Sequence, residues 1–360
     1  MRRILFIAHT AIALGLLYTG YAGYLNPQTF GIVALGGYAL PPFLLLTAAS
    51  LAVAAFTYKR HLLIPFVALL AAYWPVTLYC PYHSAQEAPE EALTVLSYNT
   101  HHWGMGDSES RSESDGDRGM TVAEYLAASN ADIICLQESP LTGKAKGNID
   151  TIVGARYQYK DTVTCANKMQ LTIFSHFPIK RKEAIAYESV GNGSAAFWLD
   201  VRGREVIVIN NHLQSTGLSI EERNKFSEMV HGRNDTIKSI SKTIIGKLLD
   251  ATRIRVPQAK TVAAFVRAHA NGGDRRPIIV CGDFNDIPHS YVHNTMAKGL
   301  TDCYRETATG PGYSFARYGM RVRIDNILCT PDIKPYNFRV DHSIAASDHY
   351  PIIGQVTLPQ

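Results

Sequence analysis

The chain has 360 residues, 46% of them hydrophobic and 18% charged, and its net charge is only +4. This composition excludes a disordered chain, a small disulfide-stapled domain and a strongly basic polymer-binding surface. The averages hide a division, because no Lys, Arg, Asp or Glu occurs between Ile4 and Tyr58. After the seven charged residues up to Glu91, the segment 92–360 holds 31 basic and 28 acidic residues. The chain therefore joins an apolar front to a near-neutral soluble module.

Three apolar runs at the start of the chain are long enough to cross a membrane. A helix needs about 20 apolar residues to span about 30 Å of hydrocarbon. The sequence therefore predicts a membrane anchor over residues 1–80, with its second helix kinked or split at Pro41-Pro42, because proline removes a backbone donor. The three predicted transmembrane helices cover residues 4–25, 32–57 and 62–79.

Basic residues set the expected orientation of this anchor. Arg2-Arg3 and Lys59-Arg60 are its only basic clusters, and such clusters stay on the cytoplasmic side. Three crossings from a cytoplasmic N-terminus bring the chain to the other face. If the first run is instead a signal peptide cleaved near Ala22, two crossings give the same result. We expect a multi-pass membrane protein whose soluble module lies on the extracytoplasmic (periplasmic or extracellular) side.

An acidic, proline-containing linker at 81–91 leads to the module 92–360, in which short β-branched runs alternate with helical patterns. This alternation predicts one α/β domain with two packed sheets and outer helices. The predicted helices are Thr121–Ser129, Ile220–Val230, Thr236–Leu249 and Gln258–Ala270. The predicted strands are Leu93–Tyr98, Ile133–Leu136, Leu171–Phe174, Ala195–Val201, Val206–Asn210, Ile278–Val280, Ile324–Cys329 and Ile352–Val356.

Six of these segments carry polar side chains at one end. Any one of them is most simply a turn residue, and a lone His is most often structural. Six such ends together indicate a functional site, because adjacent strands bring them to one rim of the sheets. Oxygen ligands without paired cysteines suit Mg²⁺ or Mn²⁺ better than Zn²⁺, and histidines beside carboxylates donate protons or neutralise charge. The ends are Asn99, Glu138, His212, the Asp283–Asn285 turn, Asp325 and the Asp348-His349 pair.

These ends resemble the motifs of the endonuclease/exonuclease/phosphatase superfamily. The resemblance covers nearly all of 92–360 and implies a deoxyribonuclease-like, four-layer α/β sandwich. It also implies a metal-dependent hydrolase of phosphoester bonds. The matching segments are Ser-Tyr-Asn99, Leu-Gln-Glu138, Asn-His212-Leu, Gly-Asp283-Phe-Asn285, Arg-Ile-Asp325 and Ser-Asp348-His349.

A metal site is part of what the resemblance implies. Glu138 is then the principal ligand of a Mg²⁺ or Mn²⁺ cofactor, helped by Asn99 and Asp348. His101 and His102 follow Asn99 closely, which is unusual for this family. We interpret the two histidines as a cap of the loop, with extra metal ligands as the open alternative.

The other matched residues are implied to act on the substrate. Asp283 orients or deprotonates the attacking water, and Asn285 holds the phosphoryl group. His349 hydrogen-bonds a phosphoryl oxygen while Asp325 fixes its ring, and His212 acts on the phosphate or the leaving group. The chemistry agrees, because a metal and an imidazolium offset the charge that an attacked phosphodiester gains, and a carboxylate raises the basicity of its histidine.

Two features depart from the family's pattern. The strand before His212 lacks the arginine that many relatives carry and has Ser194-Ala-Ala-Phe. An insert at 215–256 separates His212 from the Asp283 turn, and it could cover the active site, lie on the membrane or pack outside. Its basic residues are spread widely, which is typical of a solvated helix face.

The six cysteines contain no Cys-x-x-Cys pair, which excludes a zinc-ribbon or thioredoxin-type site. Cys135 and Cys281 lie inside apolar strands and are expected to be buried thiols. An oxidising compartment would permit a bridge between Cys303 and Cys329, whose geometry the sequence does not define.

The sequence implies two partners, a phosphoester substrate and the lipid bilayer that holds the N-terminal helices, and no protein partner can be inferred. Tethering favours a lipid headgroup or another small phosphodiester, because confinement to a surface raises effective concentration. An extracytoplasmic endonuclease or exonuclease on DNA or RNA is the alternative. It is disfavoured by the low net charge and by an acidic loop at 104–119, since nucleic-acid binding needs many Lys and Arg contacts.

A third hypothesis is a catalytically silent membrane receptor or scaffold that keeps the fold. Such a protein is expected to have lost a metal ligand or the pair formed by Asp325 and His349. Because every matched residue is present, the sequence favours an enzyme.

Overall fold

The computed structural model describes residues 1–104, 120–141, 149–165, 168–230, 237–270 and 275–359. Apart from Gly104, the acidic loop expected at 104–119 lies outside these residues. Within them, a bundle of apolar helices precedes two six-stranded mixed sheets, which pack face to face with helices on their outer sides. The predicted α/β architecture with two packed sheets is confirmed.

The apolar front forms a helical bundle. Two of its stretches, Arg2–Tyr24 and Pro27–Phe56, are long and apolar enough to cross a membrane. In the second stretch a 3₁₀ segment, Gly31–Ala39, changes to α-helix at Leu40, so the irregularity expected at the proline pair is a change of helix type within one continuous stretch. The helices are α1 (Arg2–Tyr21), α2 (Pro27–Phe30), α3 (Leu40–Phe56), α4 (Leu63–Ala71) and α5 (Tyr73–Tyr79), with 3₁₀ turns at Ala22–Tyr24 and Lys59–Leu62.

The third predicted transmembrane helix is broken. The segments Lys59–Ala71 and Tyr73–Tyr79 meet at 61°, so they form a third span only if the bent pair counts as one. Pro75 explains the break, because it has no N–H to donate to the carbonyl of Ala71. The hydroxyl of Tyr21 donates to that carbonyl instead, at 2.5 Å. The expected count of three helices is therefore corrected to two candidate spans and a bent third segment.

The soluble module contains twelve strands in two sheets. The strands are β1 (Leu93–Asn99), β2 (Ile133–Gln137), β3 (Tyr159–Thr164), β4 (Gln170–Ser175), β5 (Ile179–Ile185), β6 (Gly193–Val201), β7 (Arg204–His212), β8 (Ile278–Asp283), β9 (Thr301–Asp302), β10 (Asp325–Cys329), β11 (Lys334–Val340) and β12 (Ile352–Thr357), as far as the described residues show. The strand orders are β11-β12-β1-β2-β4-β3 and β5-β6-β7-β8-β10-β9. All eight predicted strands are present, and β3, β5, β9 and β11 were not expected.

The predicted outer helices are present with one correction, and the short helices Tyr291–Met296 and Cys303–Thr307 were not expected. The stretches Thr236–Leu249 and Gln258–Ala270, expected as separate helices, form a single helix that contains Pro257. Buried Ala251 and Val256 continue its apolar face across the expected gap, and this packing outweighs the backbone bond lost at the proline. Thr236 itself lies outside the described residues. The helices are α6 (Val122–Ala128), α7 (Ile220–Val230), α8 (Ile237–Ala270), α9 (Tyr291–Met296) and α10 (Cys303–Thr307).

The cysteines lie mostly in the core between the sheets. Cys135 and Cys281 are fully buried there, as expected. The Sγ atoms of Cys303 and Cys329 lie 3.5 Å apart as a hydrogen-bonded pair of free thiols. These two cysteines are therefore close, but the bridge that an oxidising compartment would permit is not formed between them.

Candidate active site

Strand pairing brings the polar ends to one rim of the sandwich. In the first sheet β1 and β2 are parallel, so Asn99 ends one strand beside Glu138, the residue that follows the other. In the second sheet parallel β7 and β8 pair His212 with Asp283, and antiparallel β10 pairs Asp325 with Asp283. A hydrogen bond of 3.1 Å from Asn99 Nδ2 to Asp283 Oδ2 joins the two sheets at this rim.

Asp283 is the buried centre of the rim. Its Oδ2 accepts hydrogen bonds from the side-chain amides of Asn99 and Asn285, each at 3.1 Å, and its Oδ1 accepts from the backbone N–H of Asn285 at 2.8 Å. Gly282 precedes it with a φ of 126°, and a Cβ there would lie 2.0 Å from a carbonyl oxygen of β7, so only glycine fits. Burial, followed by the charge of Asp325, raises the pKa of Asp283 to about 6.

His349 and Asp325 form a buried pair beside Asp283. His349 Nδ1 lies 2.8 Å from Asp325 Oδ2, and His349 Nε2 lies 3.7 Å from Asp283 Oδ2. Burial disfavours a charged imidazole, but the carboxylates of Asp325 and Asp283 outweigh it and raise the pKa of His349 well above its ordinary value. His349 can therefore hold a proton at Nε2 near neutral pH.

Glu138 faces this group from the first sheet. Its Oε1 accepts from Asn99 Nδ2 at 3.3 Å and lies 3.5 Å from His212 Nε2, which is also 3.7 Å from Asp283 Oδ2. Burial raises the pKa of Glu138, but the neighbouring His212 and His349 rings outweigh burial and lower this pKa below its ordinary value. Seven of the eight predicted site residues are therefore connected: Asn99, Glu138, His212, Asp283, Asn285, Asp325 and His349.

Asp348 stands apart from the connected group. Its Oδ1 lies 3.5 Å from His101 Nδ1 and its Oδ2 lies 3.9 Å from Arg223 Nη1. Among the contacts of the described residues, none joins the Asp348 carboxylate directly to Glu138 or Asn99. Ser347 Oγ links Asp348 and Asn99 indirectly, since it donates to the Asn99 carbonyl at 2.8 Å and lies 3.4 Å from Asp348 Oδ1.

His101 and His102 show features of both interpretations that the sequence left open. The backbone N–H of His101 donates to Asn99 Oδ1 at 3.1 Å, and that of His102 donates to the carbonyl of Glu138 at 2.9 Å, which caps the loop. Both residues are left-handed, with φ of 43° and 55°. Their imidazoles point at acids, since His102 Nε2 lies 3.8 Å from Glu138 Oε2 and His101 faces Asp348.

Two further residues at the rim were not predicted from the sequence. Asn192, just before β6, places its side-chain amide 3.4 Å from the ring of His212 and 3.0 Å from the carbonyl of Leu213. Arg223, on α7 of the insert, reaches Asp348 and lies 5.5 Å from the Tyr318 ring. The insert therefore lies at the edge of the site. In the sequence, each of the two is marked only by lying in a segment next to a motif.

The donor set fits a divalent cation. Asp283, Asp325 and His349 are buried and each offers a ligand atom within 4.8 Å of the others. Asp325 and His349 already bind each other, however, whereas Glu138 keeps a partly exposed carboxylate whose Oε2 has His102 as its nearest described partner, at 3.8 Å. Carboxylate and amide oxygens are the ligands that hard divalent cations prefer. The Glu138 carboxylate is thus less engaged than those of Asp283 and Asp325, whereas Asn99 Oδ1 accepts from the His101 N–H and Asn99 Nδ2 faces Glu138 and Asp283.

Comparison with known proteins agrees with this geometry. A model described as the Endonuclease/Exonuclease/phosphatase family matches residues 98–349, and a model described as a domain of unknown function matches residues 2–79. The curated CCR4-Not complex 3'-5'-exoribonuclease subunit Ccr4 of Aspergillus niger is 24% identical over 292 residues. That alignment covers 66% of this chain and 41% of the relative, so the chain spans less than half of the relative's length.

Solved structures share the fold at low sequence identity. The human Nocturnin catalytic domain is similar with a TM-score of 0.52 and 15% identity, covering 76% of this chain and 96% of that one. ANGEL2, a 2',3'-cyclic phosphatase, gives a TM-score of 0.54 and 14% identity over 78% of this chain and 100% of that one. The family match extends over most of the chain and includes every predicted site residue. The chain therefore belongs to the endonuclease/exonuclease/phosphatase family, a family of metal-dependent phosphoester hydrolases.

Proposed function

We propose that the chain hydrolyses phosphoester bonds with water as the nucleophile and with Mg²⁺ or Mn²⁺ as cofactor. The observation that carries this proposal is the joining of Glu138 and Asp283, on two different sheets, through the amide of Asn99. His349 completes the group from a third segment, with Nε2 3.7 Å from Asp283. Together these side chains can bind a cation, orient a water molecule and hold a proton beside the same substrate.

Glu138 and Asn99 would hold the cation, with Asp348 as a helper. The chemistry that a bound divalent cation supplies here is neutralisation of negative charge on the phosphoryl oxygens. The low pKa of Glu138 supports this role, because a ligand carboxylate must be ionised.

The remaining residues would act on water and phosphate. Asp283, with its pKa of about 6, is largely ionised at neutral pH and can orient the attacking water or take its proton. His349, protonated at Nε2 and held by Asp325, would donate a hydrogen bond to a phosphoryl oxygen. Asn285 would hold the phosphoryl group, and His212 would act on the phosphate or the leaving group.

We propose a lipid headgroup or another small phosphodiester as the substrate. Basic side chains near the rim already have partners, since Arg223 faces Asp348 and Arg317 donates to the carbonyls of Ala345 and Ser347. The described rim therefore offers few unengaged cations for a long phosphate backbone, on which nucleic-acid affinity depends. Attachment to apolar helices favours a substrate at the same surface.

RNA or DNA is the second candidate substrate. The observation in its favour is the similarity to a relative named as an exoribonuclease. A phosphodiester is common to both candidates, so the same residues would serve either one.

A panel of substrates tests the proposal and separates its candidates. Full-length protein in detergent micelles is incubated with sphingomyelin, phosphoinositides, RNA, plasmid DNA, bis-p-nitrophenyl phosphate and p-nitrophenyl phosphate, with Mg²⁺ or with EDTA. We expect Mg²⁺-dependent turnover of a diester, and fastest turnover of a lipid. Selective cleavage of RNA or DNA would overturn the lipid preference, and hydrolysis of none of the six would contradict the enzyme proposal.

We also propose that the domain lies outside the cytoplasm. Arg2, Arg3 and His61 line one cavity at one end of the bundle, so the two basic clusters share that end. The opposite end, at Gly23 and Leu78, contacts the soluble module. Because basic clusters stay in the cytoplasm, the module should face the other side.

Protease added to intact cells, with any outer membrane removed, measures this orientation. The module should be digested while a tag at the N-terminus is protected. Protection of the module until the membrane is permeabilised would contradict the orientation.

A further inference from the structure

The apolar anchor packs directly on the catalytic module. His289 Nε2 donates to the carbonyl of Gly37 at 2.7 Å, and the side-chain amide of Asn294 donates to the carbonyl of Gly23 at 3.1 Å. A Cβ added at Gly23 would lie 2.3 Å from the carbonyl oxygen of His289, so the contact needs glycine. These contacts bring the segment 22–39 of the anchor against the loop that follows Asp283.

Tyr38 in this segment reaches a buried ion pair of the module. Its hydroxyl donates to Asp286 Oδ1 at 3.0 Å, and Arg255 Nη1 donates to Asp286 Oδ2 at 3.2 Å. The Arg255 and Asp286 side chains are 0% and 1% exposed. A buried pair of this kind depends on having all of its hydrogen-bond partners. The anchor therefore supplies one of the bonds that the module's own buried carboxylate requires.

The same ion pair ties together two loops of the proposed active site. Asp286 follows Asn285 directly in the chain. Arg255 extends from α8 to the other loop, donating from Nε to the carbonyl of Gln214 at 2.6 Å and from Nη2 to the hydroxyl of Thr216 at 2.8 Å. Gln214 lies two residues after His212. Arg255 thus fastens the loop after His212 to the loop that carries Asp283 and Asn285.

We infer that Tyr38 is a positioning residue of the active site, through which the anchor holds the Asp283–Asp286 loop and the 213–216 loop at their working separation. The inference rests on the proposed function. It makes the anchor a structural part of the catalytic apparatus as well as an attachment to the membrane. A misplacement of reacting groups by about 1 Å can lower a rate by about 10²-fold. The loss of one hydrogen bond away from the reacting groups can therefore lower the rate measurably.

The test compares Tyr38→Phe with Tyr18→Phe in the full-length protein. Tyr18 is the matched control, because its hydroxyl donates to the carbonyl of Val33 inside the anchor, at 2.7 Å. On bis-p-nitrophenyl phosphate we expect Tyr38→Phe to lower kcat by about tenfold with KM nearly unchanged, within the range that misplacement produces. Tyr18→Phe should match the parent in both constants.

Amide hydrogen exchange gives a readout that does not depend on turnover. Exchange within 213–216 and 283–287 should be faster in Tyr38→Phe than in the parent or in Tyr18→Phe, while exchange in β1 and β2 stays the same. Parent-like kcat together with parent-like exchange in Tyr38→Phe would overturn the inference, as would equal losses in both variants. Failure of the proposed function looks different, because then the parent protein itself has no metal-dependent turnover.

Discussion

At the scale of single residues, the charges around Asp283 predict how activity depends on pH. The pKa of Asp283 is raised to about 6, so its basic form is lost as the pH falls through that value. The pKa of His349 is raised well above its ordinary value, so its proton is lost at a higher pH than that of an ordinary histidine. The dependence of kcat/KM on pH should therefore have an acid limb near pH 6 and a second limb at higher pH, where His349 loses its proton.

Asp325→Asn tests the cause of both shifts. The negative charge of Asp325 raises the pKa of Asp283 and that of His349, so neutralising it should lower both values. We expect both limbs of the kcat/KM profile to move to lower pH, with a reduced maximum. A variant whose profile superimposes on that of the parent would show that Asp325 does not control these protons.

The sequence predicted that these polar side chains meet at one rim, because each of them ends or begins an apolar strand with recognisable neighbours. Asn99, Glu138 and Asp283 are examples. Asn192 and Arg223 could not be found in this way, because they depend on how loops fold back over the rim and belong to no motif.

At the scale of elements, the position of helix α7 in the insert predicts that it contributes to substrate binding. It places Arg223 3.9 Å from Asp348, a loose ion pair that a substrate phosphate can replace. Arg223→Gln should raise KM by about tenfold, the factor that corresponds to losing about 1.5 kcal/mol of a charged hydrogen bond, and should change kcat less. Lys225→Gln is the control, because Lys225 lies on the same helix and pairs with Glu221 at 2.5 Å. A parent-like KM for Arg223→Gln would remove the helix from the substrate's path.

The missed elements have a common physical explanation. The sequence predicted the central strands, which are continuous apolar runs, but not β3 and β5 at the sheet edges. Most side chains of β5 are exposed, and Lys180, Lys182 and Glu183 interrupt any apolar pattern. The charged side chains keep such edge strands from pairing with other molecules. The same charges interrupt the apolar pattern by which a strand is predicted from sequence.

At the scale of the whole molecule, the buried pair of Arg255 and Asp286 makes a prediction about stability. Asp286→Ala leaves the Arg255 charge buried without its partner, which typically costs about 3–5 kcal/mol. We expect a clear fall in the unfolding temperature of the soluble module, measured by scanning calorimetry in detergent. Asp250→Ala is the control, because Asp250 is 75% exposed and pairs with Arg253 on the surface. Equal falls in unfolding temperature for the two substitutions would contradict the expected contribution of the buried pair to stability.

No pattern in the sequence predicted the contact between the N-terminal helices and the two-sheet module. Composition separates the apolar front from the module, and periodicity indicates the class of each. The bonds from Tyr38 to Asp286 and from His289 to Gly37 link residues about 250 positions apart, and no local pattern reports such pairs.

The central claim is that Glu138 and the other strand-end residues form one metal-dependent hydrolytic site. The most direct test is the turnover of bis-p-nitrophenyl phosphate by full-length protein as Mg²⁺ is titrated, for the parent, Glu138→Gln and Glu183→Gln. Glu183 is an exposed residue of β5 and serves as the control. The account predicts saturable Mg²⁺ activation of the parent and of Glu183→Gln, and a loss of at least about 10²-fold in Glu138→Gln. Turnover that persists in EDTA, or is equal in all three proteins, would contradict it.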